Sequence, residues 1–190
     1  MGDLSEETYI LVVPFAPSVL LFRAQLIRCF RQRGAKVVVF APDWTADLKQ
    51  SMASIAAAVA EDYPLERAGV NPFADLRTLV VLSLAFRRLR PGMVITFQPK
   101  PNVYGIMAAA LVGVPQRFAV VEGLGFAFTP GEENLKKKVA RAALRFLYRL
   151  SFSLAHKVFF LNPDDLNEFV SQGLVRREKA VLLGGIGVPL

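Results

Sequence analysis

Short apolar runs rich in β-branched residues recur along the chain, with room for a helix between neighbours: "YILVV" (9–13), "KVVVFA" (36–41), "GMVITF" (92–97), "RFAVVEG" (117–123), "KVFFLN" (157–162) and "KAVLLG" (179–184). Runs without a polar face belong to strands covered on both sides, and strands joined through helices run parallel. This pattern predicts an α/β domain, a Rossmann-like doubly wound parallel sheet with helices on both faces.

The stretches between the runs have helical character. "LLFRAQLIRCFRQRG" (20–34) reads as one amphipathic helix closed by Gly34, and "PFADLRTLVVLSLAFRRL" (72–89), "NVYGIMAAALVG" (102–113), "ENLKKKVARAALRFLYRLSFSLA" (133–155) and "PDDLNEFVSQG" (163–173) follow the same logic. The alanine-rich "TADLKQSMASIAAAVAEDY" (45–63) has helical propensity throughout. Alternation nevertheless demands a strand inside it, so a helix is expected near 45–53 and a weak strand near 57–63, for about seven strands in all.

In an open sheet of this kind, ligands bind beyond the carboxyl ends of the strands, where the strand order reverses. The loops "PFAPS" (14–18), "QPKPNVYG" (98–105) and "EGLGFAFT" (122–129) should therefore converge. In the second loop, Pro99 and Pro101 bias the residues before them away from helix, so Gln98 and Lys100 are expected to be extended, with the lysine displayed on a stiffened loop. Asn102 reads either as a helix cap or as a hydrogen-bonding group of the crevice. The glycines of "GLG", Gly123 and Gly125, read either as a tight turn or as a gap left for a ligand. The loop after the first strand, "VVPFAPSVLLFR" (12–23), lacks a G-x-G-x-x-G fingerprint, which argues against a nicotinamide enzyme.

At 190 residues the chain accommodates one domain, and 23 Lys and Arg against 16 Asp and Glu leave a net charge of +7. That surplus suits nucleic acid, anionic lipid or a phosphorylated ligand. No helix-turn-helix, finger or aromatic strand motif accompanies it, so nucleic acid is not expected as a partner. The surplus is concentrated in "KKKVARAALRFLYRL" (136–150), where Lys136, Lys137, Lys138, Arg141, Arg145 and Arg149 are interleaved with Phe146, Leu147 and Tyr148. Such a helix lies either on an anionic membrane surface or with a solvated cationic face over an ordinary core stripe. No run reaches the ~18 apolar residues of a membrane span. The N-terminal apolar run is broken by Pro14 and Pro17 and preceded by acids, unlike a signal peptide. Cys29 reads as a buried, inert thiol in a helix rather than a nucleophile or disulfide partner, and His156, at the entrance to a strand, reads as structural. No His/Cys cluster suggests a metal, and no cofactor is expected. "NPDD" (162–165) is a helix-capping signature.

Taken in order, "RAGVNPFADLRTL" (67–79), "QPKPNVYGIMAA" (98–109), "VGVPQRF" (112–118), "EGLGFAFT" (122–129), "KVFFLNPDDLNEF" (157–169) and "GLV" with "LLGGIGV" (173–188) resemble the N-terminal half of a bacterial retaining glycosyltransferase of family four, GT-B type. The likeness is to the subgroup that builds O-antigen, capsule and other lipid-linked glycans. Departures from the family pattern are Gly92 after Pro91, Glu122 in "EGLG", and Pro189 in "GVP". The resemblance implies that residues 1–190 form the acceptor-side domain, with the donor-binding C-terminal domain, and the glutamates that handle the sugar nucleotide, absent from this chain. It implies transfer of a hexose or N-acetylhexosamine from a nucleotide sugar to a polyprenyl-diphosphate-linked acceptor. The expected place is cytoplasmic, peripheral on the inner face of the plasma membrane. Acceptor contacts are then expected from Ser18, Arg23, Lys100, Asn102, Tyr104, Glu122, Gly123 and Gly125, with Arg23 and Lys100 facing phosphate and Asn102, Tyr104 and Glu122 facing sugar hydroxyls. A non-catalytic Rossmann-like module at a membrane surface is the alternative. Arg67 and Asn71 either line the crevice or order a connection.

Overall fold

The computed structural model describes residues 7–67, 71–123 and 135–184. Seven parallel strands form one sheet: β1 (Thr8–Val12), β2 (Lys36–Ala41), β3 (Val59–Asp62), β4 (Met93–Phe97), β5 (Gln116–Val121), β6 (Lys157–Phe160) and β7 (Ala180–Leu182), in the order β3-β2-β1-β4-β5-β6-β7. β1 pairs with β2 on one side and β4 on the other, Leu11 lying opposite Val39 and Ile95. The strand order therefore reverses between β1 and β4. The helices are α1 (Pro17–Phe22), α2 (Ala24–Gln32), α3 (Ala46–Ser51), α4 (Pro72–Leu89), α5 (Pro99–Leu111), α6 (Leu135–Leu154) and α7 (Pro163–Ser171).

Alternate strand residues feed opposite cores. On one face Leu11, Val39, Ile95 and Val120 pack with Val19, Ile27 and Met52 of α1, α2 and the π-helical turn after α3. On the other, Ile10, Val38 and Val94 meet Leu82 and Phe86 of α4, and Ala119, Val158 and Phe160 meet Val103 of α5, Tyr148 and Phe152 of α6 and Phe169 of α7. The described helices of the first face cover the β1 half of the sheet. Beyond α2, Ile95, Phe118 and Phe159 floor an apolar trough of about 370 Å³.

Two expected boundaries move. The helix predicted over 20–34 is interrupted at Arg23, whose φ of −121° and ψ of −7° separate α1 from α2, while Gly34 closes α2 at φ +83° as expected. α5 starts at Pro99, so Lys100 is helical rather than extended. Pro99 and Pro101 both fall in the first turn of α5, where backbone N–H groups have no intrahelical partner and the first such bond is Asn102 N to the Gln98 carbonyl, so neither proline costs the helix a hydrogen bond and Lys100 between them takes helical geometry despite the bias of Pro101. The strand expected near 57–63 forms at Val59–Asp62, after the left-handed Ala57.

Candidate functional site

The carboxyl ends of β1, β4 and β5 meet at one buried charged cluster. Arg23, freed from helical geometry at the α1–α2 junction, is only 4% exposed. Its Nη1 donates to the Ser18 carbonyl at 3.3 Å, its Nη2 to Glu122 Oε1, and its plane lies over the Phe97 ring at 4.7 Å and the Phe22 ring at 5.6 Å. Among the described residues, Arg23 Nε has no hydrogen-bond partner. Glu122 Oε2 accepts from Gln98 Nε2 at 3.0 Å. Gln98 holds φ +73° and ψ 165°, a region that residues with a Cβ rarely enter, and backbone held there concentrates at functional sites. Gln98 is thus strained where it ends β4 and reaches Glu122.

The opposite side of β4 carries a second pair. Lys100, in the first turn of α5, donates from Nζ to Asp75 Oδ1 of α4 at 2.8 Å, the two side chains being 15% and 7% exposed. Tyr104, one turn along α5, lies against the same carboxylate. Burial first, then the Asp75 charge and a hydrogen bond to it, raise the phenol well above its ordinary value, so Tyr104 stays protonated. These groups line a cavity of about 260 Å³ whose other wall is Ala140, Ala143, Leu144 and Leu147 of α6. Arg67 stands at its rim, paired with Asp43 at 3.3 Å and lying over the Phe15 ring at 5.3 Å. Asn71 instead caps α4, its side chain accepting from Ala74 N and donating to Glu66.

Asn102 sits between the two clusters, and its environment corrects the expectation of a sugar contact. It is 1% exposed and one turn inside α5, accepting from Thr96 Oγ1 at 2.7 Å and donating to the Val120 carbonyl at 2.8 Å. It neither caps the helix nor reaches the crevice; it pins α5 to β4 and β5. Gly105 permits the approach, since a Cβ there would stand 2.7 Å from Thr96 Cγ2. Lys100, expected to face the loops after β1 and β5, points instead to α4.

Ser18 lies in the first turn of α1, its hydroxyl donating to the Phe15 carbonyl and its own carbonyl accepting from Arg23. Gly123 follows Glu122 with open space where a Cβ would stand. Gly125 lies outside the described residues, as do the side chains of Lys136 and Lys137. Lys138, Arg141, Arg145 and Arg149 share a shallow depression on α6 with Phe146 and Leu174, and Arg149 also donates to the Gly173 carbonyl at 2.9 Å. Asn162 caps α7 by accepting from Asp165 N. Cys29 is free and only half-buried, less enclosed than expected. His156 lies at the opposite end of the sheet, its Nδ1 accepting from Arg117 N. No group of three or more His, Cys, Asp or Glu among the described residues is arranged to hold a metal. Sequence reasoning does not single out Asp75 or Asp43, nor the bond from Gln98 to Glu122, because nothing local marks a helix aspartate as the partner of a lysine 25 residues away.

In chemical terms, Glu122 offers a carboxylate fixed by donors from two other elements, with lone-pair capacity left for a hydroxyl. Lys100, Tyr104 and Arg67 offer donors beside an aliphatic wall, a setting for a ligand with an anionic part and an apolar part. The two sites flank β4 at the strand-order reversal.

A glycosyl transferase 4-like domain matches residues 22–185. An N,N'-diacetylbacillosaminyl-diphospho-undecaprenol alpha-1,3-N-acetylgalactosaminyltransferase of Campylobacter jejuni is 29% identical over 175 residues, covering 91% of this chain and 44% of that protein. The capsular polysaccharide biosynthesis glycosyltransferase CapM of Staphylococcus aureus is 28% identical over 166 residues, covering 85% of this chain and 42% of CapM. The chain therefore spans less than half the length of these relatives. Among solved structures, a Rickettsia africae glycosyltransferase superposes with a TM-score of 0.63 at 13% identity, over 94% of this chain and 42% of that one. The UDP complex of S. aureus MnaA superposes with a TM-score of 0.64 at 15% identity, over 95% of this chain and 44% of that one. These two likenesses establish the fold.

Proposed function

Since the chain belongs to the glycosyl transferase 4-like family, we propose that it is the acceptor-side domain of a retaining glycosyltransferase that moves a hexose or N-acetylhexosamine from a nucleotide sugar to a polyprenyl-diphosphate-linked acceptor. The observation that carries this is the pairing of two buried ion pairs, Arg23 with Glu122 and Lys100 with Asp75, on either side of β4 at the carboxyl ends of the strands. Glu122, clamped by Arg23 and Gln98, receives an acceptor hydroxyl. Lys100 and Arg67 draw the anionic diphosphate to the cavity, and the α6 wall receives the first apolar carbons beyond it. One relative is named for a diphospho-undecaprenol-linked sugar and the other for capsular polysaccharide biosynthesis, which supports this reading. The nucleotide sugar is the business of a further domain of the complete transferase. Acceptors of this kind are held in a bilayer, so the domain works on the cytoplasmic surface of the plasma membrane, with the Lys138, Arg141 and Arg145 face of α6 turned to anionic lipid.

Steady-state kinetics on a transferase containing this domain test the proposal. Glu122→Gln keeps the size of the side chain and removes its charge. It is expected to lower kcat/KM for the lipid-linked acceptor at least about tenfold while leaving the KM for the nucleotide sugar unchanged, as loss of one charge-assisted hydrogen bond implies. A loss confined to the nucleotide sugar would reject the assignment.

A further inference from the structure

Asp75 stands in the first turn of α4, where an acid suits the positive end of the helix without needing to be buried. Here it is 5% exposed and lines the Lys100 cavity, the one acid among the described lining residues. A buried carboxylate is costly unless its oxygens receive hydrogen bonds. Lys100 and Tyr104 supply them, and the raised phenol keeps the second donor in place. The cations of the cavity are thereby cancelled one by one: Lys100 by Asp75 at 2.8 Å and, at the rim, Arg67 by Asp43 at 3.3 Å. A cavity that draws phosphate by charge alone gains from neither acid. Lys100 engages an anion in the cavity only by turning from Asp75, which then lacks one of its donors in a place that water hardly reaches.

We infer that Asp75 is a specificity-determining residue that accepts a hydrogen bond from the substituent at carbon 2 of the sugar on the acceptor diphosphate, so that anion and donor are taken up together. In a sugar joined to diphosphate through its anomeric carbon, the substituent on the adjacent ring carbon, a hydroxyl or an acetamido N–H, is the donor next to the phosphate oxygens. Lys100 and Asp75 are a donor and an acceptor side by side. Phosphate oxygen and carbon-2 donor are an acceptor and a donor side by side, so this ligand replaces the ion pair with its chemical complement. A bare prenyl diphosphate lacks that neighbouring donor and adds terminal negative charge beside Asp75, which turns it away. Discrimination of this kind comes from the buried acceptor left unpaired by the wrong ligand. Glu122, on the other side of β4, takes a hydroxyl elsewhere on the sugar. The inference rests on the acceptor reading above and adds to it the atom that Asp75 recognises.

Titration calorimetry of the 190-residue chain with two short-chain prenyl diphosphates tests it, one capped by glucose and the other by 2-deoxy-2-fluoroglucose. The caps differ by a hydroxyl against a fluorine of similar size that cannot donate. The glucose-capped ligand should bind about tenfold to a hundredfold more tightly, the worth of a hydrogen bond to a charged acceptor. Asp75→Asn keeps the size of the side chain and leaves no carboxylate to strand. That variant should shrink the ratio by at least about fivefold, chiefly by tightening the fluorinated ligand, and its melting curve reports whether it folds. Glu122→Gln should weaken both ligands by one common factor and leave the ratio intact. Should Asp75→Asn melt early, the ratio in the parent and in Glu122→Gln decides. A ratio near one in the parent, or a ratio unmoved by Asp75→Asn, would overturn the role of Asp75 while leaving the acceptor reading standing. A ratio that collapses in Glu122→Gln would hand carbon 2 to Glu122 and also reject it. Binding of neither ligand would reject the acceptor reading and this inference together.

Discussion

The two buried ion pairs beside β4 do different jobs with different cations. Arg23 uses its planar fork to join Ser18 and Glu122 while stacking between Phe22 and Phe97. It ties the loop after β1 to the end of β5, and no lysine reproduces that geometry. Lys100 acts as a point charge on Asp75 across the α4–α5 contact, beside a cavity with space to spare. The first pair is a fastener that shapes the crevice. On the proposed function, the second is a charge store whose cation exchanges a carboxylate for an incoming anion in the cavity beside it.

That contrast is open to direct attack. The largest effects should come from removing one partner of either pair: Arg23→Met and Lys100→Met each strand a buried carboxylate and should destabilise the fold by about 3–5 kcal/mol in denaturant titrations. Lys100→Met combined with Asp75→Leu should recover most of the loss, whereas Arg23→Met with Glu122→Leu should not, because the link to Ser18 and the aromatic stack stay broken. Equal recovery in both would erase the distinction.

Smaller effects should follow from exchanging the cations. Arg23→Lys should cost about 1–3 kcal/mol through the lost fork, and Lys100→Arg less than about 1 kcal/mol because the adjacent cavity accepts the larger head. Reversal of that ranking would contradict the division into fastener and charge store. Asn102→Ala, which leaves the Thr96 hydroxyl and Val120 carbonyl without their side-chain partner, should cost about 1–3 kcal/mol and loosen both pairs together, visible as faster amide exchange at Gln98 and Lys100. Protection unchanged at both would remove Asn102 from its linking position.

The smallest effect is expected far from either pair. Burial, followed by the Arg117 and Lys179 cations, holds the His156 pKa below its ordinary 6.5. The unfolded chain therefore takes up this proton first as pH falls. Its contribution to stability is present above about 6.5 and is lost as pH drops through the lower folded value. The melting temperature of His156→Gln should show a shallower rise than the parent over that window, and identical slopes would count against the shift. Neither β4 pair should respond to His156→Gln.

Parallel topology, the strand cores and the span of α4 are legible in the sequence because apolar runs and helical stretches alternate so plainly; Pro72 to Leu89 form the helix expected. The break at Arg23 is not legible, since the partner its side chain meets there, Glu122, is 99 residues away. Arg23 and Glu122 each stand out in the sequence, but as separate ligand contacts rather than as partners. Lys100 is easily misplaced because the Pro99–Pro101 spacing suits both a stiff loop and a helix start, and only packing on Asp75 shows which. Asn102 resembles a cap by residue type, yet one turn of displacement turns the same amide into an internal cross-link.

The central claim, that this domain grips the acceptor at the two β4 pairs, is tested most directly by titration calorimetry of the 190-residue chain. The ligands to compare are a short-chain prenyl-diphosphate-linked N-acetylhexosamine and a nucleotide sugar. The account predicts measurable binding of the prenyl-linked sugar, weakened about tenfold or more by Glu122→Gln, and little binding of the nucleotide sugar. Micromolar affinity for the nucleotide sugar, or prenyl-linked binding indifferent to Glu122→Gln, would contradict it.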